Sequence, residues 1–154
     1  MHAKPFSIAL ALMLAGSTPL AAADDYTARE IRQPIVVTVK ERNQVLFEMR
    51  ELLHGLFNLH LALSKQDFKG AAVAARPIGA LLDKIPASLR ERLPEEYVQI
   101  GIAMKESFGQ LARVAEEKKD MSAVQAQLAE SMTYCSGCHD SYRFEVPTVN
   151  PGKK

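Results

Sequence analysis

Cys135-Ser136-Gly137-Cys138-His139 stands close to the C-terminal end of the chain, and the reading of everything before it depends on this stretch. Two cysteines three apart, followed directly by a histidine, form the attachment signature of a c-type haem. Each thiol adds across one haem vinyl group as a thioether, and the imidazole binds the iron as proximal ligand. On a helix the three side chains fall at i, i+3 and i+4, so a single turn presents them on one face. A thioredoxin-like pair would sit near the start of the chain at a strand-to-helix junction, and no strand pattern is read before this one. A zinc site would need two further Cys or His ligands, and the sequence holds no second pair. The motif predicts one covalently attached haem c, held by Cys135 and Cys138, with His139 as axial ligand to the iron.

Working back from the motif, the chain reads as helices joined by mostly short links. Thr38-Val39-Lys40-Glu41 has capping-box spacing and opens a long helix that runs to about Lys65. Its apolar stripe is Leu46, Met49, Leu53, Leu56, His60 and Leu63, flanked by Val45, Leu52, Phe57 and Leu59. Asp67 caps a second helix from Phe68 to about Asp83, with a kink or break between Val73 and Arg76 because Pro77 removes a backbone donor. Pro86 to Leu93 is a connector with room for one helical turn. Pro94 at a first helical position, with Glu95 and Glu96 behind it, starts a third helix whose core face is Tyr97, Ile100, Gly101, Met104, Phe108, Leu111 and Ala115. Ser122-Ala123-Val124-Gln125 reads as a second capping box. The fourth helix then carries Val124, Leu128, Met132, Cys135, Cys138, His139 and Tyr142 on one side. No strand alternation or internal repeat is read. The expected fold is all-α: an antiparallel up-down-up-down four-helix bundle with the haem near the C-terminal end of the last helix.

The first residues read as a targeting segment. His2 and Lys4 are basic, Phe6 to Ala15 is mostly apolar, and Ala21-Ala22-Ala23 offers a cleavage site before Asp24. The expected division is a cleaved signal peptide over 1–23, a cytochrome domain over 24–147 and a flexible tail over 148–154. The apolar run is too short to span a bilayer, so the cleaved protein is expected not to cross a membrane. Export to the periplasm agrees with haem attachment, which in bacteria takes place outside the cytoplasm. With 19 Lys+Arg against 18 Asp+Glu, the chain has no charge excess to suggest a nucleic-acid partner.

The run Cys135-Ser136-Gly137-Cys138-His139-Asp140-Ser141-Tyr142-Arg143 resembles the class II c-type cytochromes, the cytochrome c-prime group. In that group the haem motif lies near the end of the last helix of a four-helix bundle and is followed by an aromatic and a basic residue. The resemblance also implies an arginine in the first helix and, one turn on, a residue over the distal haem face; Arg42 and Leu46 fit those positions, with Met49 another turn along. High-spin members of the group carry an apolar residue there, leave the iron five-coordinate and bind nitric oxide or carbon monoxide. Low-spin members place a methionine there and carry electrons.

Antiparallel packing of first and fourth helices brings the stretch from Arg42 to Met49 beside the haem. His60 lies eleven residues beyond Met49, roughly 16 Å further along the axis, and His54 points off the stripe. Leu46 cannot bind iron; Met49 is the candidate sixth ligand. Arg42 and Arg143 are candidates to pair with the haem propionates, because a planar guanidinium matches a carboxylate. The expected function is electron transfer in the periplasm with redox partner proteins, the alternative being a five-coordinate haem protein that takes a diatomic gas. An enzyme is not expected, because no distal His or Arg pair offers acid–base work. The wide apolar stripe of the first helix also makes a homodimer a candidate.

Overall fold

The protein is described by a computed structural model that covers residues 30–148. The expected signal peptide over 1–23, its cleavage before Asp24, and all of the expected tail except Thr148 lie outside the described residues. The described chain is mostly helical. Its elements are a strand β1 (Gln33–Val36), helices α1 (Val39–Ser64) and α2 (Phe68–Ala75), a 3₁₀ turn (Arg76–Ala80), short helices α3 (Leu81–Lys84) and α4 (Ala87–Arg90), long helices α5 (Glu95–Lys118) and α6 (Met121–Ser141), and a strand β2 (Tyr142–Glu145). Helix α5 packs against α6 and α2, and α1 packs against α2.

Helix α1 begins where its sequence requires. The Thr38 hydroxyl accepts from the Glu41 backbone N–H at 3.2 Å, and the Glu41 carboxylate accepts from the Thr38 N–H at 2.8 Å. The Thr38 N–H, and then Arg92, hold the Glu41 carboxyl below its ordinary range. The buried seam of α1 is rotated from the expected stripe. It runs through Val45, Met49, Leu52, Leu56, Leu59 and Leu63, whereas Leu53 and His60 face solvent, as Phe57 does. A seam spaced by fours and threes needs only one narrow face, so the extra apolar residues of α1 are left outside.

Asp67 caps α2 by accepting from the Gly70 N–H at 2.8 Å. The break anticipated at Pro77 is realised: α2 ends at Ala75 and the chain tightens into the 3₁₀ turn before α3. Ala71, Ala72 and Ala75 are fully buried, and these small side chains let α2 come close to its neighbours. Gly79 allows a still closer approach, since a Cβ there would stand 2.4 Å from the Lys105 Cα.

Four expectations need correction. Pro94 is the residue before α5 rather than within it, with ψ at 144°, while Glu95 and Glu96 do occupy the first turn. Helix α6 is capped by Asp120, which accepts from the Ala123 N–H at 2.7 Å, so Ser122 is already inside the helix. Met132 is exposed and Ser131 takes the buried position, where its hydroxyl lies 2.7 Å from that of Ser107 on α5. Tyr142 leaves α6 to begin β2, which pairs with β1 in parallel, Gln33 opposite Tyr142 and Val36 opposite Glu145. A signal for this ladder exists: Tyr142, Phe144 and Val146 alternate with Arg143 and Glu145, and Ile35 and Val37 alternate likewise.

The α6 cap provides a direct check. Asp120→Ala should lower stability by about 1 kcal/mol in urea unfolding, while Ser122→Ala should stay within about 0.5 kcal/mol of the parent.

Candidate haem site

The last two turns of α6 present Cys135, Cys138 and His139, and the next backbone N–H, that of Tyr142, closes the helix on the Cys138 carbonyl. Both cysteines are free and half-buried. The three side chains line a cavity of about 350 Å³, within the range of roughly 300–1,000 Å³ usual for cofactor and ligand sites. Helix α6 adds Tyr134 to this wall, and β2 adds Tyr142, Arg143 and Phe144. Helix α1 contributes Arg42, Val45, Leu46, Met49 and Leu52; α3 contributes Leu82; α5 contributes Tyr97, Ile100, Gly101 and Met104.

All seven residues singled out in the sequence (Arg42, Leu46, Met49, Cys135, Cys138, His139 and Arg143) therefore line the same cavity. His54 and His60 do not line it. His54 instead faces Glu51 at 3.4 Å, one turn away on the exposed side of α1. Arg32, Leu82, Tyr97, Ile100, Gly101, Met104, Tyr134 and Phe144 join the lining without having been singled out for the site. Tyr97, Ile100, Gly101 and Met104 were legible only as a core stripe, because a stripe gives the face of a helix and not the place where the core is hollow. Arg32 lies ahead of α1, directly before β1, where no element is read in the sequence.

Helix register fixes the depth of the α5 residues. The Ser107–Ser131 hydrogen bond and the Tyr97–Tyr142 edge-to-face contact, with centroids 5.3 Å apart, set α5 and α6 antiparallel and level at those pairs. Met104 is then level with Tyr134, five residues from His139, which is about 7.5 Å along the axis at the helical rise. That depth removes Met104 from the level of His139.

The environment of the thiols does not favour the thiolate that a redox pair of the thioredoxin kind uses. Burial pushes Cys138 up to about 11; the Tyr97 hydroxyl works against this by hydrogen bonding to the sulfur, and the neighbouring Cys135 adds to it. Burial raises Cys135 as well. Burial in turn raises the Tyr97 phenol, with Cys138 adding to the effect. Catalytic thiols gain thiolate character from a helix N-terminus or a cation, whereas these two stand at a helix C-terminus, where the dipole opposes negative charge. Among the described residues, no three His, Cys, Asp or Glu side chains gather as a bare metal ion would require.

The residues present fit a haem. Its two vinyl groups need two reduced thiols on one turn, and its iron needs a nearby imidazole. Its two propionates need cations at the edge of an otherwise apolar slot. The Arg143 Nε is buried and has no hydrogen-bond partner, although the same guanidinium pairs with Glu145 through Nη1. An unpaired buried donor of this kind is costly, and a carboxylate at the cavity edge would satisfy it. Once bound, haem would supply an iron centre that changes oxidation state by one electron and accepts ligands from the protein or from outside.

The model of the family described as Cytochrome C' matches residues 93–143. This match, together with the motif, supports placing the chain in the class II c-type cytochromes, the cytochrome c-prime group. That family implies a c-type haem protein, and its members are typically periplasmic. The matched third of the chain covers α5, α6 and the start of β2, and leaves out the α1 wall. No curated protein and no solved structure matches the chain. No described helix is long and apolar enough to cross a membrane.

The thiol environment is open to direct test. In haem-free protein, alkylation of Cys138 should stay slow near pH ~8 and accelerate as pH rises toward about 11, since burial withholds the reactive thiolate until then, and burial should slow Cys135 as well. Mass spectrometry of the alkylated protein follows both sites.

Proposed function

We propose that this chain is a monohaem c-type cytochrome that works by electron transfer in the periplasm, with one haem c covalently held by Cys135 and Cys138 and ligated by His139. If α2, the 3₁₀ turn and α3 are taken as one interrupted helix, the fold is a four-helix bundle carrying its haem near the end of the last helix. The observation that carries this reading is a single cavity joining the α6 triad to a buried, unpaired arginine donor. Arg143 and Arg42 pair with the propionates. The protein is not an enzyme, and its partners are redox proteins.

Met49 is the sixth ligand in this reading. At about 100° per residue, the five α1 residues on the cavity span an arc of about 120°, with Met49 at its middle and Leu46 at one edge. Met49 also belongs to the buried seam with Val45 and Leu52, whereas Leu46 is 40% exposed.

A second reading is a five-coordinate protein that binds nitric oxide or carbon monoxide. It is favoured by the position of Leu46, one turn after Arg42 on the same cavity, because the family register puts that residue over the iron and it offers no ligand. Absorption spectra decide between the two. With Met49 bound, the oxidised and reduced protein is low-spin, carbon monoxide alters it slowly, and Met49→Leu converts it to high-spin. A high-spin parent that responds promptly to carbon monoxide establishes the second reading instead.

Two variants test the other assignments. Replacing His139 should abolish the native axial field in either reading. Arg143→Gln should lower the reduction potential by roughly 30–60 mV, about 1 kcal/mol for one electron, because a cation beside the haem disfavours the oxidised iron.

A further inference from the structure

Helix α3 supplies Leu82 to the cavity, and the way this short element is held gives that side chain a role of its own. Four residues are too few for a helix to stand unaided, and α3 has no side-chain cap. Three contacts from neighbouring elements fix it instead. Gly79, just before it, seats the 3₁₀ turn on the α5 backbone at Lys105. Asp83 pairs with Lys105 at 2.6 Å, but both side chains are exposed, so this pair holds little. The third contact is of another kind. Lys84 Nζ lies 3.2 Å from the Glu48 carboxylate, which is buried in α1 at 4% exposure and also accepts from Gln44 Nε2 at 2.8 Å.

A carboxylate buried to that degree depends on its partners, since removing one leaves a charge that water cannot reach. Glu48 sits among Val45, Met49 and Leu52, all on the cavity wall, so its pair with Lys84 ties α3 to the stretch of α1 that faces the haem site. Leu82 is lodged against α5 from the other side. A Cβ on Gly101 would stand 2.5 Å from Leu82 Cδ1, so Gly101 leaves the space that this side chain fills. Leu82 thus stands against α5 on an element that Lys84 ties to α1, in the part of the wall that α6 does not supply.

We propose that Leu82 sets the size of external ligand that the cavity admits at the haem iron, with Glu48 as the positioning residue that holds it through Lys84. This rests on the haem assignment above. It does not depend on whether Met49 ligates the iron, because the test is made in holoprotein carrying Met49→Leu. Carbon monoxide and n-butyl isocyanide both bind ferrous iron through carbon and differ in bulk, so the ratio of their association rates reads the width of the passage.

Leu82→Ala should raise the isocyanide rate about tenfold and the carbon monoxide rate by less than about twofold, as expected when crowding of the larger ligand is relieved. Glu48→Gln should shift the ratio in the same direction by a smaller factor, and Leu82→Met should restore the parent ratio. Gly101→Ala, which forces Leu82 out of its seat, gives a second variant and should also change the ratio. Parallel changes in both rates, or an unchanged ratio in Leu82→Ala and Gly101→Ala alike, would overturn the proposal. A protein without thioether-linked haem absorption would instead strike the haem assignment, and this proposal would fall with it.

Discussion

The buried hydrogen bond between Ser107 and Ser131 fixes the register on which the site depends. Two antiparallel helices with apolar faces can slide by a turn and still bury comparable area, but two hydroxyls sealed from water cannot part without losing their partners. Gln127 adds its side-chain donor to Ser107, and Ser131 also donates to the Gln127 carbonyl, so the pair is well satisfied. With that level set, Tyr97 meets Tyr142 at the end of the hairpin. Gly101 and Met104 lie along the same wall as Cys135 and Cys138. A slip of one turn would carry the α5 wall past the α6 triad.

The cavity joins two kinds of surface. Helix α6 and β2 bring the groups that would hold a haem: two thiols, an imidazole and an arginine with a donor to spare. Helices α1, α3 and α5 bring mostly apolar side chains, with Met49 in the middle of the α1 arc. Covalent attachment needs only the first set. What the iron then does depends on the second, which lies largely outside the segment matched to the family. Five residues specify attachment, whereas three separate helices specify coordination.

Much of this was legible in the sequence because it was written in short range. The Thr38 capping box, the Asp67 cap and the Pro77 break act within a few residues, and the haem motif is a single turn. The placement of Arg42, Leu46 and Met49 on the cavity was legible because the reading put the first helix beside the end of the last. The Pro94 position and the cap of α6 are local choices, and the other failures lie where partners far along the chain decide. Asp120 and Ser122 both suit a cap, and the positive φ of 49° at Lys119 turns the chain so that Asp120 takes it. Ser131 outranks Met132 in the core because Ser107 waits opposite. The rotation of the α1 seam away from Leu53 and His60 follows from where α2 packs, which apolar spacing on a wide stripe cannot show. Leu82 was invisible for the same reason, since its position depends on an ion pair and on a glycine in two other helices.

The parallel ladder between β1 and β2 also bears on the order in which the chain can assemble. It joins Gln33 to Tyr142, partners separated by 142 − 33 = 109 positions in the chain. Closing a loop of that length costs about 4 kcal/mol in chain entropy beyond the fixed term. The α5–α6 hairpin, by contrast, closes over a two-residue link. Helical hairpins can therefore form while the ends are still apart, with the attachment motif next to an unpaired strand. Joining the ends then fastens the chain three residues beyond His139, so the ladder acts as a clasp that closes late, directly after the turn that carries the attachment motif.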